Sequence, residues 1–493
     1  MDDSSSTPLD TALSEHRLAT LRSAIDDDPT HRVAMNAITT TDVDHVALHH
    51  SAVVALDETS EIKLDSLNVT DQKQSGRCWM FAALNVFRHD IARSLNVDDF
   101  EFSESYLQFF DKFEKANYFL RSIAGLYDGT ITPADNPSTT GSADELRNRS
   151  IDTLYTNTIS DGGQWNYLVN VVKKYGAVPK YAMPETQSSS STPHMDRALN
   201  TIVRKAALQL KAALTTDATR PTDTTTETPD TSNSDSHATT TFDPNGIISA
   251  ALRDVHRVLS IHLGTPPTTF VWQYRDKDNH FHRGGTYTPH QFAQEFLPND
   301  LDQYVNIAHD PRTDIPFGHR YTTQFQNDMW GTDDFTYLNV ELPTLKALAI
   351  QRLRTNKPVF FACDVNRQFR ADLGVWDANL IQVDQIYGTD TTTTKADRML
   401  TAESRLTHAM VFTGVDFLPD TETPRRWRVE NSWGTRTHNE HDDIAGADYG
   451  TMSDSWFDDN VFQIVVHRDE LPNDLRARLD EPPTLLPIWD AMV

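Results

Sequence analysis

Among 493 residues there are two cysteines and nineteen histidines, so a sulfur nucleophile can be sought by comparing two positions. Cys363 ends the apolar run Pro358-Val359-Phe360-Phe361-Ala362-Cys363, which reads as a packed strand. Cys78 follows a polar loop, Asp71-Gln72-Lys73-Gln74-Ser75-Gly76-Arg77, and opens a segment with Phe81, Ala82, Leu84, Phe87, Ile91 and Leu95 at helical steps. A cysteine in a first helical turn faces unpaired N–H groups and the positive end of the dipole, which favour thiolate over thiol. A thiolate can attack an amide carbonyl, and the oxyanion that forms needs hydrogen-bond donors. The backbone N–H of Cys78 and the side-chain amide of Gln72 are the candidates.

Such a nucleophile needs a base from elsewhere in the chain. His408 opens the apolar strand His408-Ala409-Met410-Val411-Phe412-Thr413-Gly414-Val415, which lets its ring project from a strand end. A second strand closes in Trp427-Arg428-Val429-Glu430-Asn431-Ser432-Trp433-Gly434. Asn431 is the candidate to orient the His408 ring without adding charge, with Trp433 shielding their hydrogen bond from water.

These residues need elements to hold them. Thr11 to Ile25 reads as a helix, followed by short strands and turns from Val33 to Val54. Helical texture returns at Ser103–Leu126, Gly163–Tyr175 and Ile247–Ile261, with a loop at Thr130–Gly141. Strands follow at Pro267–Tyr274, Lys357–Val365, His408–Phe417 and Trp427–Asn431. A helix-rich half before a strand-rich half is an α+β signature. The expected division is an N-terminal arm with strand elements (1–70), a helix-rich domain with the nucleophile (71–265), a strand-rich domain with His408 and Asn431 (266–480) and a C-terminal arm (481–493). Thr215–Asp243, mostly Thr, Ser and Asp, cannot bury apolar area and reads as a mobile surface insertion.

The net charge of −27 opposes a nucleic-acid surface, and no apolar run is long enough for a membrane span. With two cysteines a disulfide framework is excluded, and the acidic start Met1-Asp2-Asp3-Ser4 is unlike a secretory signal, so a cytoplasmic location is expected. His438-Asn439-Glu440-His441-Asp442 and His280-Phe281-His282 lack the HExxH register and read as solvated loops rather than metal sites. A thiolate peptidase needs no cofactor.

Gln72…Cys78-Trp79, then His408, then Asn431-Ser432-Trp433-Gly434 resembles the papain-like arrangement. Within it, the strings Gln72–Trp79, Phe109-Phe110-Asp111-Lys112-Phe113-Glu114-Lys115, Asp161-Gly162-Gly163-Gln164-Trp165, Tyr181-Ala182-Met183-Pro184-Glu185 and Leu486-Pro487-Ile488-Trp489-Asp490 are similar to the bleomycin hydrolase and aminopeptidase C family. The 330 residues between Cys78 and His408 exceed the roughly 130–150 of compact papain-like enzymes, which fits that family's added elements. The resemblance implies a papain-like core with added subdomains and removal of N-terminal residues from short peptides. It also implies a homohexameric barrel with interior sites, and Gly162 and Gly163 lining the cleft against the substrate backbone. The chain's end would lie along the cleft, with the terminal carboxylate of Val493 meeting the substrate's α-ammonium. Alternatives are a papain-like endopeptidase, an acyltransferase or a non-enzymatic peptide-binding barrel.

Overall fold

The computed structural model describes residues 13–26, 28–134, 141–217, 243–435 and 449–492. The body of the Thr215–Asp243 insertion, residues 218–242, lies outside them, as do the His438–Asp442 string and Val493. Among the described residues, helices gather in the first half, and eleven of the twelve strands of a mixed sheet lie in the second, the other being Ile62–Lys63. The chain is α+β.

The helix Cys78–Leu95 packs against strand His408–Phe417, whose left and right neighbours in the sheet are Val359–Cys363 and Pro424–Glu430. Strand alternation divides two cores. Phe360, Ala362, Ala409 and Val411 face the helical cluster built from Cys78–Leu95, Glu104–Asp128, Trp165–Tyr175, Pro193–Asp217 and Pro244–Leu263. Val359, Phe361, Cys363, Met410 and Phe412 face the opposite cluster, under helix Leu342–Arg354. Cys363 is therefore turned away from helix Cys78–Leu95 and is wholly buried.

Caps explain several boundaries. The Ser103 hydroxyl accepts from the Tyr106 N–H and starts Glu104–Asp128 there, while Gly129 at φ 78° ends it. The strands expected between Val33 and Val54 are instead the helices Pro29–Ile38, Val43–Val46 and His50–Ala55. The Asp28 carboxylate caps the Thr30 N–H ahead of Pro29, and Asp42 caps Asp44. Those caps decide segments whose apolar pattern is weak.

One buried ionic cluster joins helix to sheet. The Glu430 carboxylate, fully enclosed, accepts from Arg88 (2.7 Å) and meets His89 Nε2 at 3.0 Å, both residues on helix Cys78–Leu95. Burial works against its charge, but Arg88 and His89 outweigh burial and hold the carboxyl below its ordinary range. The sign is that of a depressed carboxylate: its contribution is present at neutral pH and is lost as pH falls through the folded-state value. Glu430→Gln should leave the Arg88 charge enclosed and cost about 3–5 kcal/mol in urea unfolding at pH 7. The pair replacement Arg88→Met with Glu430→Leu should recover most of that loss. A single variant costing under about 1 kcal/mol would show that the cluster does not hold the helix.

Candidate active site

Cys78 begins its helix at the floor of a cleft of about 520 Å³, whose walls include Gln72, Gly162, Gly163, His408 and Ile488. The N–H groups of Cys78 and Trp79 face its sulfur from the first turn, and the Ala409 N–H faces it from the strand that His408 opens. His408 Nε2 donates to Asn431 Oδ1 at 2.8 Å. The same oxygen accepts from the Ser432 N–H at 2.7 Å, which fixes it as the acceptor end of the amide. His408 Nε2 therefore carries the proton, and Nδ1 is the free base. The Trp433 ring lies 4.7 Å from the His408 ring, tilted by 34°.

Gln72 is held from three sides. Its N–H donates to the Ser432 carbonyl (2.8 Å), its Oε1 accepts from Ser432 Oγ (2.7 Å), and its Nε2 donates to the Ser75 carbonyl (2.6 Å). One of the two amide protons remains to face the cleft. The neighbouring strings pair directly: Asp71 bridges to Trp433, and the Gly434 N–H donates to the Thr70 carbonyl. Gly434 has φ +70°, and a Cβ there would lie 2.4 Å from an Asp71 carboxylate oxygen, so glycine is required. Ser432 was not singled out in the sequence as a functional residue, although it sits inside the Asn-Ser-Trp-Gly string.

The opposite wall is built on charges. Asp161 accepts from the Gly76 N–H (3.0 Å) and Thr192 Oγ1 (2.6 Å), and pairs with the buried Lys112 at 2.6 Å. Burial opposes its charge, but Lys112 and these donors hold the carboxyl well below the usual range. The Asp161 carbonyl accepts from the Trp79 indole at 2.8 Å. Lys115 Nζ donates to the carbonyls of Gly162 (2.7 Å) and Ser160 (3.1 Å) and to Asp111 (2.9 Å), beside the Trp79 and Tyr167 rings. Gly163 presses against Trp79, where a Cβ would come within 2.5 Å of the indole; a Cβ at Gly162 would meet nothing. Arg77, before the cysteine, is buried in a two-pronged contact with Glu185 at 2.9 and 3.1 Å. Lys115 and Glu185 are supports that sequence spacing could not connect to Cys78.

Electrostatics depart from the expectation that a helix terminus alone yields a thiolate. Burial pushes the Cys78 thiol up to about 11, more than the three facing N–H groups recover. Burial also holds the His408 ring down to about 4, against the pull of Asn431. In this dry pocket burial disfavours charge on either group, so a neutral thiol and a neutral imidazole are the resting forms at neutral pH.

Of the other sequence signals, His280 and His282 hydrogen-bond Asp276 at 3.3 and 2.8 Å on an exposed hairpin. The C-terminal arm is anchored: Thr484–Leu486 pairs with Arg320–Thr323, Asp490 meets Arg312 at 2.9 Å, and Arg149 lies over the Trp489 ring. Met492 is fully enclosed.

The match to known proteins runs the length of the chain. Residues 12–493 fit the Peptidase C1-like family. An aminopeptidase C from Lactobacillus delbrueckii subsp. lactis is 34% identical over 468 residues, 94% of each chain. A bleomycin hydrolase from Rattus norvegicus is 32% identical over 486 residues, 97% of this chain and 98% of that one. The crystal structure of PepW from Lactobacillus rhamnosis superimposes with a TM-score of 0.85 at 33% identity, covering 98% of this chain and 99% of that one. The fold is papain-like, and the chain belongs to the Peptidase C1-like family.

Proposed function

We propose that this chain is a cysteine aminopeptidase that removes N-terminal residues from short peptides, with Cys78 as nucleophile and His408 as base. The observation that carries the reading is that Cys78 and His408 line one cleft and Asn431 holds the His408 ring, in a chain whose relatives are named aminopeptidase C and bleomycin hydrolase. His408 Nδ1 takes the thiol proton as Sγ attacks the scissile carbonyl. The oxyanion is received by the Cys78 N–H and the remaining amide proton of Gln72. His408 returns the proton to the departing amine, leaving an acyl-enzyme that water cleaves by the reverse sequence. Asn431 holds the ring through both transfers. Gly162 and Gly163 offer backbone to the substrate, and the empty space at a Gly162 Cβ leaves room for it.

Selection of free amino termini falls to the C-terminal arm in this reading. Ile488 already walls the cleft, and the described cleft lining contains no carboxylate. An α-ammonium finds no carboxylate among those described residues, which supports the reading that the terminal carboxylate of Val493 is its counterion. A pair at about 4 Å is worth roughly 4 kcal/mol at intermediate dielectric before desolvation. The 71–265 and 266–480 segments act as the two walls of the cleft. A closed homohexamer and a cytoplasmic location complete the proposal, supported by the family resemblance.

Three outcomes check this. Deleting residues 489–493 should raise cleavage of N-acetylated peptides relative to free-amino ones; an unchanged ratio removes the arm as gatekeeper. The acid limb of kcat/KM on an aminoacyl arylamide should lie near about 4, since below it the His408 ring is protonated and no base remains. A limb near the ordinary histidine value of 6.5 would contradict the buried ring. Light scattering should return six chains, and a fully active 55.7 kDa monomer would dismiss the hexamer.

A further inference from the structure

The described lining of the cleft carries side-chain charge of one sign. Among its described lining residues only Lys115 and Arg405 are charged, and both are cations. Lys115 is spent: it is buried and gives its protons to Asp111 and to the Ser160 and Gly162 carbonyls. Arg405 is exposed and has no hydrogen bond or ion pair to any described residue.

The backbone around Arg405 is held firmly. Ser404 Oγ donates to Asp364 at 2.7 Å, and the Ser404 N–H donates to the Arg398 carbonyl at 3.1 Å. On the other side the Thr407 N–H donates to the Cys363 carbonyl at 3.0 Å, and Thr407 Oγ1 accepts from the Val365 N–H at 3.0 Å. Leu406 packs toward the cluster that contains Met492. Arg405 is thus displayed from a loop pinned at both flanks, three residues before His408, so little ordering of the backbone is needed when it binds.

We propose that Arg405 is a specificity-determining residue that favours substrates carrying a carboxylate near the scissile bond. This rests on the aminopeptidase reading above. A guanidinium offers a fork of donors that matches a carboxylate. The chain's net charge of −27 repels acidic peptides at long range, but that field is screened over about 8 Å at physiological salt. Contact with a local cation decides within that distance. Two sources supply the same chemistry: an acidic side chain on the N-terminal residue, or the free terminus of a dipeptide.

The test compares matched substrate pairs. Glu-arylamide against Gln-arylamide reads the side-chain source; Ala-Ala against Ala-Ala-amide reads the terminal one. The wild-type kcat/KM ratio of carboxylate to amide member should exceed one in at least one pair, by about threefold to tenfold, and shrink as salt rises. Arg405→Gln should bring that ratio to about one, Arg405→Lys should keep part of it, and Arg405→Glu should invert it. Ratios that are equal in wild type and Arg405→Gln for both pairs would overturn the proposal. Hydrolysis of neutral Ala-arylamide by the wild-type enzyme reads the parent aminopeptidase assignment separately, since it involves no substrate carboxylate.

Discussion

A carboxylate with no access to water sets the geometry on which the rest depends. Glu430 is one residue before Asn431, and its partners Arg88 and His89 lie on the helix that begins with Cys78. A nucleophile and its base on different elements must keep their relative position to well under an ångström for proton transfer to work. Apolar packing alone is tolerant of sliding, because volume-conserving shifts cost little. A buried charge with two directional partners is not tolerant, since any slip exposes an unpaired ion to low dielectric.

The substrate side of the cleft repeats the device with another carboxylate. Asp161 receives the loop that precedes Cys78 through the Gly76 N–H, and through its carbonyl receives the Trp79 indole. Lys112 neutralises it, and Lys115 fastens the next residues, so the Gly162-Gly163 edge is fixed relative to the sulfur. Both walls are thus referenced to the same first helical turn. The Cys78 thiol and the His408 ring both rest in surroundings that disfavour charge on them.

Much of this was legible in the sequence, for reasons that can be named. Cys78, His408 and Asn431 could be found because each sits at the end of a strongly patterned helix or strand, and the structure brings them together. The helix Cys78–Leu95 and the strand His408–Phe417 have the expected bounds because their apolar runs are long and uninterrupted. The helices between Pro29 and Ala55 were misread as strands because they are short and set by caps at Asp28 and Asp42. Long-range pairings are a different case. Arg77 with Glu185, and Lys115 with the Gly162 carbonyl, join residues that no local period relates. The quoted strings contained these residues, yet nothing in one string names its partner in another.

Ser432 touches both halves of the machinery, giving its N–H to Asn431 and its hydroxyl to Gln72. For anyone redesigning this enzyme, the Asn431 and Gln72 amides are therefore not separate dials. A library that varies Gln72 also disturbs the residue that steadies Asn431, and gains at one end arrive with losses at the other. Loop 404–407, pinned through Asp364 instead, lies outside that linkage and is the freer ground for altering preference.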